Sequence, residues 1–315
     1  LKPLRADREA FRGSVSRLVD AHKHSELESL HVSLVEHDPR FSGGISKLVD
    51  YYGALDVPPS AVGTSAFTAK ERSYREWLRH YPRSHLPKMG LALLSRAEAW
   101  RARGGEWATS VSPSAWASFD RHLKATWSWA EKALSDSPRD PEFYSQMIEF
   151  CRATGCPRKR ADAWLEQGIK LNPEYDGIYV AMANYLLPRW HGSATDFSRF
   201  AAHASDSNVK LGDVVYVRVA TVALLVEQDF RSAFPTLEWR RIRSGLTQID
   251  RHFPDSARTH HLLARFATSY GDKTTAKASF ERVGTTWDAD AKEYWFDHEY
   301  FQTCRRWAFA GEAVR

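Results

Sequence analysis

The chain has little cysteine, little methionine and no long apolar run, and each shortage closes off a class of protein. Three Cys in 315 residues cannot build a disulfide framework, and their spacing matches no zinc-binding pattern. Cys151 and Cys156 sit close together across a helix end. They read as two free thiols, with pairing in an oxidising compartment as the alternative. No stretch of 18 apolar residues occurs, so no membrane span is expected. Residues 214–226 come nearest and are interrupted by Arg218. There is no Asn-x-Ser/Thr sequon. Strong charge of one sign is also missing: a formal net charge of +5 and a pI of about 9.0 are a mild bias over this length, which argues against a nucleic-acid binder.

Common catalytic patterns are absent too. The chain carries no Gly-x-Ser-x-Gly, no His-Glu-x-x-His, no phosphate loop and no dinucleotide fingerprint. Gly104-Gly105 lacks the Lys-Ser/Thr that a phosphate loop needs, and Ser207-x-x-Lys210 is too short a match to mean more than chance. The chain begins at Leu1 rather than Met. An upstream segment is therefore expected to have been removed, a signal peptide being one form of it. A soluble protein, cytoplasmic or exported, is the expectation.

What is present is helix. Hydrophobic residues make up 43% and charged residues 26%, as in ordinary globular chains, and apolar positions recur at helical spacing. Ala161, Trp164, Leu165, Gly168 and Ile169 share one face, and Pro173 closes that segment because it cannot continue a helix. Upstream, Asp140-Pro141 reads as an N-cap followed by proline in the first turn. Tyr81-Pro82, Ser137-Pro138, Asn172-Pro173 and Phe253-Pro254 each end an apolar segment. Pro138 to Pro173 spans about 35 residues, close to the ~34 of a tetratricopeptide (TPR) unit. Residues 256–287 give a further copy, with a turn at Gly271-Asp272.

The fold expected is all-α, a TPR-like α-α superhelix of antiparallel helix pairs. Residues 1–63 read as an N-terminal helical cap of three short helices, broken at Gly43-Gly44. Residues 64–315 read as the repeat domain, with inserted loops near 104–113 and 188–193. Residues 56–65 look like a linker. Residues 214–227 are rich in β-branched side chains, so a strand is the runner-up there; the helical neighbours favour helix. Ser193 and Asp213 are expected helix caps. The twelve Trp are expected to pack between helices.

With these segments placed, the chain resembles an uncharacterised bacterial domain family built on TPR-like helices. The resemblance rests on Trp100-Arg-Ala-Arg-Gly-Gly-Glu-Trp-Ala-Thr-Ser-Val111, on Asn184-Tyr-Leu-Leu-Pro-Arg-Trp-His-Gly-Ser193, and on the copy from Phe253-Pro-Asp-Ser to Phe280. His191 and Trp107 depart from that family's usual glycine and tyrosine. The resemblance implies the architecture and no particular reaction.

In such stacks the first helix of each pair lines the concave face. Arg258, His261 and Arg265 then share one face of a first helix, with Asn184 and Gln146 at comparable places in earlier repeats. Guanidinium and amide donors there would hold an acidic peptide or a C-terminal carboxylate. The function expected is a non-enzymatic protein- or peptide-interaction module, its groove rimmed by Arg101, Trp107, Arg189, Trp190 and His191. One alternative is an enzyme with its site between the two inserted loops. The other is an RNA-binding repeat protein using the basic clusters 158–160, 240–243 and 305–306. Thirteen His raise a metal question. His22 and His24, two apart, would point to different sides of a helix, and zinc needs three or four converging ligands. The crowded His22, His24, His31 and His37 therefore read as solvated surface residues, and neither metal nor cofactor is expected.

Overall fold

A computed structural model of the chain describes residues 1–136 and 138–310. Among them it is all-helical, with two isolated bridges, Lys2 to Ser256 and Arg40 to Ser46, and no strand. The helices are α1 Leu4–Asp20, α2 His24–His37, α3 Lys47–Leu55, α4 Ser65–His80, α5 His85–Arg103, α6 Pro113–Leu134, α7 Pro141–Thr154, α8 Arg158–Leu171 and α9 Asp176–Tyr185. They continue as α10 Ala194–Ser207, α11 Asp213–Val226, α12 Phe230–Ala233, α13 Trp239–His252, α14 Ala257–Tyr270, α15 Lys273–Val283, α16 Ala289–Tyr294 and α17 His298–Phe309. Among the described residues, no helix is long and apolar enough to cross a membrane.

Local chemistry sets these boundaries. Asp140 caps α7: its Oδ1 accepts from the Glu142 and Phe143 amides, and Pro141 occupies the first turn. Ser193 accepts from the Asp196 amide at the head of α10. Asp213 differs from expectation. It is the first residue of α11, the cap is Gly212, and the Asp213 carboxylate accepts from Arg241 Nε at 2.9 Å. The β-branched run is helix because its side chains are buried nearly all round against α9, α10 and α13; burial on all sides overrides a modest strand preference. Ser137, of the Ser137-Pro138 boundary, lies outside the described residues.

The chain divides into two compact units, each discontinuous in sequence. That division does not follow the 1–63 and 64–315 expectation. One unit comprises Ala10–Pro39 and Lys47–Leu171. Its helices pack largely in sequence, α4 on α5, α5 on α6 and α7 on α8. Tryptophan fills joints between helices: Trp100 of α5 meets Phe119 of α6 edge-on at 5.2 Å, and Arg160 of α8 lies over Trp127 of α6. Cys151 and Cys156 form a disulfide in this unit, which corrects the free-thiol reading. The two cysteines flank the α7 C-terminus, where Gly155 turns the chain back in the left-handed region and brings the two Cα atoms to 4.9 Å.

The other unit comprises Leu1–Glu9, Arg40–Ser46 and the described residues from Asn172 onward. Here α9 to α15 again pack mainly on their neighbours, and α16 and α17 fold back on α14 and α15. The Asp290 carboxylate accepts from the Leu4 and Arg5 amides at the start of α1, an anion at a helix N-terminus. Burial nevertheless pushes its carboxyl above the usual range, against the pull of those two amides. Segment Arg40–Ser46 is laid against α9, α11 and α14. Gly43 and Gly44 both have positive φ, and an added Cβ would meet Ser256 Oγ at 2.8 Å or Arg218 at 3.0 Å. Glycine is needed there for backbone conformation and for close approach together.

Candidate functional site

A cavity lined by charged side chains lies within the unit containing α3, α5 and α7. Its volume is about 590 Å³. Arg12 comes from α1, Tyr52 from α3, Asp56 to Pro59 from the following turn, Arg96 and Trp100 from α5, and Glu142, Gln146, Glu149 and Arg152 from α7. Residues 56–59 of the expected linker are thus part of a wall. The α7 residues share one face because 142, 146 and 149 follow helical spacing.

Charge on this wall is balanced by pairing. Arg96 donates to Asp56 Oδ2 at 2.5 Å. Arg152 donates to Glu149, Arg12 to the buried Asp50, and Gln146 to Glu142 Oε1 at 2.6 Å. Such a surface offers donors and acceptors in alternation rather than a field of one sign.

Tyr52 links this cavity to a buried polar network. Its hydroxyl donates to Asp140 Oδ2 at 2.5 Å, and the same oxygen contacts His31 Nε2 at 2.6 Å and His85 Nε2 at 3.5 Å. Burial alone would raise the Asp140 carboxyl, but the hydrogen bonds and charges of His31 and His85 hold it far below the usual carboxylate range. Burial drives the Tyr52 phenol strongly upward, so it stays protonated and donates. His24 and His31 are buried, which corrects the solvated-surface reading for those two, while His22 and His37 are exposed as expected. Among the described residues, two groups bring ligand atoms within 4.8 Å of one another, as a metal ion would require: His31, His85 and Asp140, and His24, Glu76 and His80.

The residues expected to form a groove are distributed otherwise. Arg258, His261 and Arg265 do share a face of α14, but all three are buried. Arg258 donates to the Tyr294 hydroxyl, Arg265 to the carbonyls of Tyr294 and Leu224, and His261 Nδ1 accepts from Trp295 Nε1. The chain's own α16 and the residue after it cover this face, so these side chains are not presented to a ligand. Gln146 lines the cavity. Asn184 is half-buried on α9, and its carbonyl accepts from the Leu187 amide. Arg101 and Trp107 are exposed in one unit, with Trp107 at 85%. Arg189, Trp190 and His191 belong to the other, where the His191 ring lies 4.8 Å from Tyr185. The residues that sequence reasoning missed are Arg96, Asp56 and Arg152. Helical spacing assigns Arg96 and Arg152 to faces of α5 and α7 but not which faces would stay uncovered, and Asp56 lies in the turn after α3.

No family model matches this chain, and no curated protein and no solved structure matches it either.

Proposed function

We propose that the chain is a non-enzymatic interaction module of TPR-like helical hairpins, and that it takes a protein or peptide segment into the cavity between α3, α5 and α7. The carrying observation is the composition of that wall. Three guanidinium groups, three carboxylates, the Gln146 amide and the Trp100 ring line about 590 Å³. A peptide main chain, whose amides and carbonyls alternate, can exchange hydrogen bonds with such a wall. Trp100 supplies an aromatic contact of the kind that dominates binding energy. The partner sought is therefore polar with both charges, rather than the acidic tail the α14 arginines had suggested.

The resemblance to the bacterial TPR-like family belongs to the same reading, as does the succession of helix pairs. The Cys151–Cys156 bridge supports an oxidising compartment and hence export. The basic stretches count less towards RNA. Arg241 is tied to Asp206 and Asp213, and Arg160 stacks on Trp127 at 4.0 Å.

The test is selection from a displayed random-peptide library on the purified full chain, compared with Arg96→Ala/Arg152→Ala and Trp100→Ala. Enrichment of a peptide class by the wild type, lost in both variants with folding intact, is expected. Enrichment that survives both variants would place binding elsewhere and overturn the assignment.

A further inference from the structure

A second cluster lies apart from the cavity, in the turn between α1 and α2 and on the last turns of α4. Glu76 and His80 are one helical turn apart and share a face. His24 Nδ1 or Nε2, a Glu76 oxygen and a His80 nitrogen lie within 4.8 Å of one another. His22 stands beside them, with its Nδ1 2.9 Å from Glu76 Oε2 and its ring 5.7 Å from that of His24. His22 has a positive φ of 55°, uncommon for a non-glycine residue. It lies in a turn rather than on a helix. That is why it and His24 converge, where helical spacing would have sent them to different sides.

We propose that His24, Glu76 and His80, joined by His22, bind a divalent transition-metal ion of the zinc class. The donor set is imidazole nitrogen with one carboxylate, which suits zinc and its neighbours and is poor for magnesium or calcium. The buried ligand is held by groups that bind no metal themselves. The His24 ring stacks on Trp77 at 5.7 Å and 5°. Its Nε2 lies 3.4 Å from Ser73 Oγ, and Ser73 donates its own proton to the Val19 carbonyl. Ser73 Oγ can then only accept, so Nε2 carries the proton and Nδ1 keeps the lone pair a metal requires. This is the outer-shell arrangement that fixes a ligating histidine's tautomer. The C-terminal ends of α1 and α4 border the site and favour a cation there, against the single N-terminus of α2. His22 and His80 are exposed and Glu76 half-exposed, which gives an ion a way in.

The buried His31, His85 and Asp140 group is the weaker candidate. Asp140 Oδ1 already caps α7, and its Oδ2 already accepts from Tyr52 and faces both histidines. An ion there would have to displace these bonds at the N-termini of α5 and α7, where the helix ends disfavour positive charge.

The experiment is zinc(II) competition against a chromophoric chelator, using full-length protein without a polyhistidine tag near neutral pH. His80→Ala, Glu76→Gln and, as control, His85→Ala are measured alongside, each checked by circular dichroism. We expect one zinc per wild-type chain and cobalt(II) spectra of tetrahedral type. Affinity should fall at least about tenfold in His80→Ala and Glu76→Gln and stay unchanged in His85→Ala. No competition by the wild type, or binding that His80→Ala leaves intact, would overturn the assignment. So would binding abolished only by His85→Ala.

Discussion

Arg218 Nε lies 2.6 Å from Asp176 Oδ2, with both side chains about 95% shielded from solvent. The contact is a buried ion pair, and Arg218 Nη2 donates to the Gly43 carbonyl at 2.7 Å. Burial draws the guanidinium down to about 10, and Asp176 works against that fall. The pair joins α9 and α11 to the Arg40–Ser46 segment.

Removing one partner should therefore cost far more than removing both. Asp176→Ala strands a buried cation and is expected to lower unfolding free energy by about 3–5 kcal/mol. Asp176→Ala/Arg218→Leu should recover a substantial part of that loss. Denaturant unfolding of the two variants decides the matter. Losses that simply add would show that the two groups are independent.

A pH dependence follows from His261. Burial lowers its pKa from 6.5 to about 4, with Asp288 opposing and His260 assisting; Tyr294, Trp295 and Phe301 also pack on the ring. The folded chain holds the ring neutral, while the unfolded chain takes up a proton near pH 6.5. The stabilisation is thus complete above about pH 6.5 and is lost as pH falls towards 4. Its size is on the order of 3 kcal/mol. Compared with His261→Gln, the wild type should lose more stability by about that amount between those pH values. Parallel stability curves for the two proteins would remove the claim.

The disulfide makes a third expectation. Denatured protein without reductant should show one reactive thiol, that of Cys304, and three after reduction. Because the bridge closes a short loop, replacing both cysteines with serine should cost only about 2 kcal/mol. Three thiols from protein prepared in an oxidising compartment would argue against the pairing.

Much of the helix pattern could be read from residue order alone. Asp140-Pro141 and Ser193 marked real caps, and the prolines after α4, α8 and α13 marked real ends. Trp100 and Trp127 went to helix joints, as the number of tryptophans suggested, while Trp107 stayed exposed. These features are local, and local chemistry decides them. The candidate sites depend on which faces the chain later covers, and that is a long-range outcome. Arg258, His261 and Arg265 carry a polar, surface-like pattern yet are buried, because the aromatic α16 and the residue following it fold back over them. Asp140 meets His31, Tyr52 and His85 across separations of 109, 88 and 55 positions, and no spacing rule reaches so far. His22 and His24 were misjudged for a simpler reason: a helical period was applied to a turn.

Residues Leu1–Glu9 and Arg40–Ser46 complete a unit whose remainder starts at Asn172. Asp290 receives the Leu4 and Arg5 amides, and Ser256 bridges to Lys2. On the ribosome, then, the opening stretch leaves the exit tunnel long before its final neighbours have been translated. Pairings so distant in sequence close slowly, and until they close, this early-translated stretch is left for chaperones or proteases to find. A fragment starting at Asn172 would lack both insertions for good.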